Sequence, residues 1–187
     1  MRMSVAFFTI LTQNLVFTRL LGLSGFSFLT QRGKSLLPSS LLVLCICPLN
    51  TVLLFLLQSL IADPVWTAVI AVCLTLLLTA AVDLLLRVLL KESASAVEPH
   101  LLTAACSGAI LGILWLSDGS VSGVSSAFSY GIKEGTGFFL AAAMLEALKP
   151  AVCSEQTPAV FRGWRGIYLS AGLLSMAAAC ITASVLS

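Results

Sequence analysis

Between residues 36 and 62 the chain runs without one charged side chain. A helix needs about 20 apolar residues to cross a hydrocarbon layer ~30 Å thick. A longer uncharged stretch has few places to go in a protein dissolved in water. The rest of the chain follows suit: 59% of its 187 residues are hydrophobic and 10% charged, with mean hydropathy +1.07. Soluble domains carry roughly 25% charged residues. A globule of this size has too much surface per volume to hide so much apolar area. A soluble enzyme, a nucleic-acid binder and a disordered chain are excluded. The net charge of +2 leaves no basic footprint for nucleic acid either. The solvent is lipid.

Six segments are long and apolar enough, or nearly so, to span it. They cover residues 3–23, 36–62, 65–90, 99–116, 121–148 and 167–186. Each must be helical or shielded by protein, because lipid cannot satisfy backbone polar groups. The chain start shows no small-x-small cleavage pattern and reads as the first span. That span holds Arg19 and is followed by Gly22, Gly25 and a second apolar patch, the pattern of a helix that breaks inside the membrane. The fourth span is short and carries Gly108 and Gly112. The Ser/Gly-rich stretch 117–129 at the start of the fifth reads as loop.

The loops after spans one, three and five hold Arg32, Lys34, Lys91, Lys149, Arg162 and Arg165, with Arg87 at the same edge. The basic side is expected to be cytoplasmic, which puts both termini outside. Leu23-Ser24-Gly25 at the first break is echoed by Cys106-Ser107-Gly108 in span four. Two three-span halves, about 1–95 and 96–187, would then insert upside down relative to each other within one integral-membrane domain. Inverted repeats with broken helices meeting at mid-depth are a transporter-like plan.

Ionisable side chains inside spans are costly and mark candidate sites. Asp83 is read either as an ion or proton relay or as the partner of Arg87, one turn on. Lys133 and Glu134 are adjacent and point in different directions; one faces a cavity, or the span starts later and both lie near the surface. Gly131 and Gly135 form a small-xxx-small pair suited to close helix contact. Glu146 and Lys149 read as a terminal ion pair, and Trp66, Trp115 and Trp164 as interfacial aromatics. Cys45, Cys47, Cys73, Cys106 and Cys180 lie in apolar runs and read mostly as small buried hydrophobes, not a disulfide framework. Cys45 and Cys47 diverge on a helix and form no redox pair. Cys106 stands out because it lies mid-membrane in a glycine-weakened span.

Asn14-Leu15-Val16-Phe17-Thr18-Arg19-Leu20-Leu21-Gly22-Leu23 resembles the first span of the Rnf/Nqr integral-membrane subunits. Thr103-Ala104-Ala105-Cys106 with Leu111-Gly112 resembles that family's second cysteine motif, and Tyr130-Gly131 with Gly137-Phe138 its fifth span. Thr157-Pro158-Ala159-Val160-Phe161-Arg162-Gly163 resembles its Pro-x-x-Phe-Arg-Gly loop, and Ala171-Gly172-Leu173-Leu174-Ser175 its sixth span. The likeness runs in order along nearly the whole chain and is nearest to the A-type subunit of Rnf.

The resemblance implies an all-α protein of six transmembrane helices, with helices one and four broken, in a bacterial inner membrane. It implies a non-catalytic subunit of a complex that couples electron transfer to Na⁺ or H⁺ movement. A homologous subunit of opposite orientation and other Rnf-like subunits would be its partners. The family's two subunits share a 2Fe–2S cluster held by thiolates. Here Cys106 matches one cysteine, Ser24 stands where the other would be, and Ala105 replaces an asparagine. Cys106 and Ser24 are therefore the expected metal ligands, the serine oxygen being a poor substitute for a soft thiolate. Asn14, Asp83 and Glu134 are the candidates for an ion path. Two alternatives stand beside this reading: a cofactor-free structural subunit, and a stand-alone small-molecule transporter on the same scaffold.

Overall fold

The computed structural model describes residues 35–58, 64–90, 122–155, 157–158 and 160–186, together with Phe26, Ile110 and Gly112. All regular structure among them is helical: α1 (Leu37–Gln58), α2 (Pro64–Leu90), α3 (Val124–Val152) and α4 (Trp164–Leu186). These are the second, third, fifth and sixth of the expected spans. The first and fourth spans, with the breaks at Ser24 and Cys106, lie outside the described residues, as do Asn14 and Trp115. Among the described residues three helices are long and apolar enough to cross a membrane: α1 over Leu37–Leu57, α2 over Val65–Leu85, and α3.

The helix ends follow local chemistry. Pro64 opens α2, where a missing N–H costs nothing. The expectation of loop through residue 129 is corrected, since α3 begins at Val124 and takes in Ser125, Ser126 and Ser129. Ser126 explains it: its Oγ accepts from the Gly123 N–H at 2.9 Å and bonds back to the Gly123 carbonyl at 2.8 Å. Ser129 likewise returns its hydroxyl to the Ser126 carbonyl. Serines that satisfy themselves on the backbone leave a helix start intact. At the far end α3 runs through Lys149 and Pro150 to Val152, four residues beyond the expected Leu148.

The most intimate contact is between α1 and α3, and they run antiparallel. Residues of α1 in ascending order meet residues of α3 in descending order: Leu36 just before α1 meets Glu146, Leu44 meets Gly135, Pro48 meets Gly131, and Thr51 meets Ala127. The buried positions of α3 are Ala127, Gly131, Glu134, Gly135, Gly137, Phe138, Ala141, Ala142 and Leu145, one stripe at steps of three and four. Most are small, which lets two backbones approach where no hydrophobic effect drives helices together. Helix α2 packs on α1, and α4 on α3. Phe26 stacks on Phe138 with ring centroids 5.0 Å apart, and Ile110 is fully buried in the same core.

The cysteines only partly follow expectation. Cys47 is buried, but Cys45, Cys73 and Cys180 are exposed on their helices, and all five described thiols are free. In lipid an apolar thiol gains little by turning inward, so burial is no guide. Cys45 and Cys47 do diverge, one outward and one inward. Trp66 and Trp164 stand at the first turns of α2 and α4, both exposed, as interfacial rings do.

Candidate functional site

The α1–α3 seam is built around one proline and two glycines. Pro48 sits inside α1 and has no N–H to offer the Leu44 carbonyl one turn back. The backbone of α3 closes over this weak point. A β-carbon on Gly131 would stand 2.5 Å from the Pro48 Cα and 2.5 Å from Thr51 Oγ1. On Gly135 it would stand 3.2 Å from the Leu44 Cα and 3.4 Å from its carbonyl oxygen. The small-xxx-small pair is thus a packing device, as its spacing indicates. Thr51 adds a polar tie, its hydroxyl shared among the carbonyls of Cys47, Pro48 and, across the interface, Ala127 at 3.0–3.1 Å.

Glu134 lies between those two glycines and is only 8% exposed. It is ten residues into α3, roughly 15 Å along the axis from the start of the helix. Lys133 is half-buried and points elsewhere, as adjacent residues on a helix must. A buried acid thus faces the closest helix contact of the described bundle.

Asp83 is half-buried on α2, and the Arg87 side chain expected to pair with it lies outside the described residues. Asp83 continues a line of side chains one turn apart on α2: Thr67, Ala71, Thr75, Thr79, Asp83. Ala71, Thr75 and Thr79 are buried, and Thr75 meets α1. There the Asn50 amide Nδ2 donates to Thr75 Oγ1 at 3.0 Å, and the Thr75 hydroxyl in turn donates to the Ala71 carbonyl at 2.6 Å.

Asn50, Thr51, Thr75 and Thr79 were not among the expected site residues. Their signal was in the sequence: the one asparagine of an uncharged run, and threonines four apart leading to an acid. Glu146 was read as half of an ion pair. That pair exists, with 3.6 Å between Glu146 Oε1 and Lys149 Nζ. The larger role was missed, because Glu146 Oε2 accepts the Leu36 N–H at 3.0 Å, 110 residues away in sequence. A carboxylate there also meets the positive end of the α1 dipole.

The loop between α3 and α4 is held by its own residues. Thr157 Oγ1 and Ser154 Oγ both donate to the Ala151 carbonyl, closing the end of α3. Arg162 Nη2 donates to the carbonyls of Glu155 at 2.7 Å and Thr157 at 3.2 Å. Gly163 then turns the chain at φ +77°, a conformation suited to glycine. Gly166 meets Val152 and the Phe161 carbonyl so closely that no larger residue fits.

Of the two expected metal ligands, neither Ser24 nor Cys106 is among the described residues. Among those that are, no three His, Cys, Asp or Glu side chains gather as a metal group. The donor set these two residues would present is one thiol and one hydroxyl, which suits an iron–sulfur centre in part: the thiolate as a full ligand, the serine oxygen as a hard, weak one.

The profile of the family described as Rnf-Nqr subunit, membrane protein, matches residues 2–185. Several proteins named as the A-type member of the ion-translocating oxidoreductase complex are similar to this chain. The one from Cereibacter sphaeroides (strain ATCC 17029 / ATH 2.4.9) is 25% identical over 175 residues, covering 90% of each chain. Those from Azoarcus sp. (strain BH72) and Shewanella loihica are 24% and 23% identical over the same length. Matched from residue 2 to residue 185, this helical, lipid-soluble chain belongs to the Rnf-Nqr family of membrane subunits.

Proposed function

We propose that this chain is the A-type membrane subunit of an Rnf-like complex that couples electron transfer to movement of Na⁺ or H⁺ across a bacterial inner membrane. The observation that carries this reading is the family match over nearly the whole chain, joined by relatives named as the A-type member of an ion-translocating oxidoreductase complex. The complete fold in this reading has six transmembrane helices in two inverted halves. The antiparallel α1–α3 pair supports it, because equivalent middle helices of two inverted halves must oppose each other. The docking of α2 on α1 and of α4 on α3 has the same symmetry. Lys149, Arg162 and Arg165 gather where α3 ends and α4 begins, which supports a cytoplasmic placement of that end and external termini.

A homologous subunit of opposite orientation and further Rnf-like subunits are the proposed partners. A 2Fe–2S cluster would be shared with the homologous subunit, held on this side by Cys106 and more weakly by Ser24. Such a cluster passes single electrons when bound. Asn14, Asp83 and Glu134 are the proposed polar groups of the ion route, with Glu134 the one whose burial is on view. A second reading, a scaffold subunit without a cluster, is favoured by one observation, the serine at position 24.

The test is purification of the intact assembly from its native membrane through a tag on this chain, followed by iron and sulfide analysis. Co-purifying redox subunits are expected, with iron that falls on Cys106→Ala. A complete assembly whose iron is indifferent to Cys106→Ala supports the scaffold reading. A chain that purifies alone, and transports a small molecule alone in liposomes, overturns the proposal.

A further inference from the structure

Residues 153–163 join the end of α3 to the start of α4. Charge stops on either side of this loop. Lys149 is the last charged residue of α3, and from Gly166 to Ser187 the chain carries none. Helix α3 is long and apolar enough to cross a bilayer, so its Lys149 end brings the loop to the depth of the lipid headgroups. The loop stays at that depth, because Ser154, Thr157 and Arg162 spend donors on its own carbonyls and on the end of α3. Val160, Phe161 and Trp164 are nonetheless exposed, Val160 by 63%. Apolar and aromatic side chains turned outward at the edge of a hydrocarbon layer suit lipid and not water.

Two exposed arginines stand among these side chains, each held in place and neither paired with an acid among the described residues. Arg162 is anchored through Nη2 to the Glu155 and Thr157 carbonyls, which leaves its Nε and Nη1 edge unused there. Arg165 rests its guanidinium 5.6 Å from the centre of the Trp164 ring, and Tyr168 braces that ring edge-on at 5.9 Å. A guanidinium stacked on a ring still offers its planar N–H fork to an oxyanion. Glu155 is the sole acid between residues 149 and 165, and Arg162 takes its backbone carbonyl, not its carboxylate. We propose that this loop binds an anionic phospholipid, whose phosphate meets Arg162 and Arg165 while its acyl chains lie along Val160, Phe161 and Trp164. Surplus positive charge beside outward apolar side chains, at headgroup depth, matches both parts of such a lipid. A soluble protein would have to reach into the headgroup layer to cover the same residues. The proposal needs only that α3 crosses a bilayer and does not rest on the redox reading.

The experiment places the purified full-length chain in nanodiscs of phosphatidylcholine, with or without phosphatidylglycerol. It reads hydrogen exchange over residues 153–168 and the phosphatidylglycerol retained after detergent extraction. In wild type, phosphatidylglycerol is expected to slow exchange and to be retained in preference to phosphatidylcholine. Arg165→Gln touches no backbone bond of the loop and should lower that preference about fivefold. Trp66→Leu removes an exposed ring from a first turn without a basic residue, and should leave the preference unchanged. Raising the salt should weaken the preference in wild type, which tests the same contact without a substitution if a variant does not fold. Equal exchange and retention in both lipids would overturn the site, as would an unchanged preference in folded Arg165→Gln. Equal protection by inorganic phosphate added to phosphatidylcholine discs would mark a free-anion site and overturn it too. So would protection that arises only in the intact assembly whatever the lipid, which marks a subunit contact. Co-purification of redox subunits is a separate readout, so the lipid site and the place of the chain in the complex fail separately.

Discussion

Gly131 is the glycine with least room in the seam between α1 and α3. A methyl group there would press on the Pro48 backbone, which cannot swing aside as a side-chain tip can. Gly131→Val is therefore expected to destabilise by about 1–3 kcal/mol or more, measured by unfolding in mixed micelles. Gly172 supplies the control. Nothing lies within 4 Å of a β-carbon there, so Gly172→Ala should be neutral or stabilise by up to about 1 kcal/mol through helix propensity. Thr51→Val should cost ~0.5–1.5 kcal/mol, since it removes the one hydroxyl that reaches Ala127 across the seam. The glycine pair was legible because spacing alone puts two small residues on one face. The role of Thr51 was not, because a threonine in an apolar helix reads the same whether it bonds its own turn or a neighbour. Glu134 lay between these cases: its cost in lipid marked it as a candidate, but its burial required the seam to be known.

At the scale of the element, the helices were the easy part. Long apolar runs leave helices as almost the sole solution in lipid, and α1, α2, α3 and α4 overlap the second, third, fifth and sixth expected spans. Their ends were harder, because Ser126 and Pro150 decide them through bonds that composition does not report. The carboxylate of Glu146 belongs to α3 by sequence and to α1 by function. Glu146→Ala should loosen the first turn of α1 by about 1 kcal/mol, read as faster hydrogen exchange at residues 36–40, while Glu146→Gln retains part of the protection. The loop after α3 offers a parallel case. Arg162→Ala removes both bonds to the Glu155 and Thr157 carbonyls, so limited proteolysis should cut within residues 153–163 sooner than in wild type. The Pro-x-x-Phe-Arg-Gly pattern pointed to this loop as a motif. That its arginine grips its own backbone was visible only in three dimensions.

The whole molecule is where sequence and structure divide the labour most unevenly. Membrane residence follows from 59% hydrophobic and 10% charged residues, and family membership from motifs spread in order along the chain. The direct packing of α1 on α3 is a long-range fact that no local pattern encodes, although their opposite directions follow from the expected order of spans. In the proposed assembly this chain is one wall of a conduit, with no complete chemistry of its own. That places the decisive measurement on the assembled complex: cation uptake into proteoliposomes, driven by oxidation of an added electron donor, with and without this chain. The account predicts redox-driven uptake that disappears when this chain alone is left out and returns when it is restored. Uptake that continues undiminished without it, or ion movement by the lone chain with no electron donor, would contradict the account.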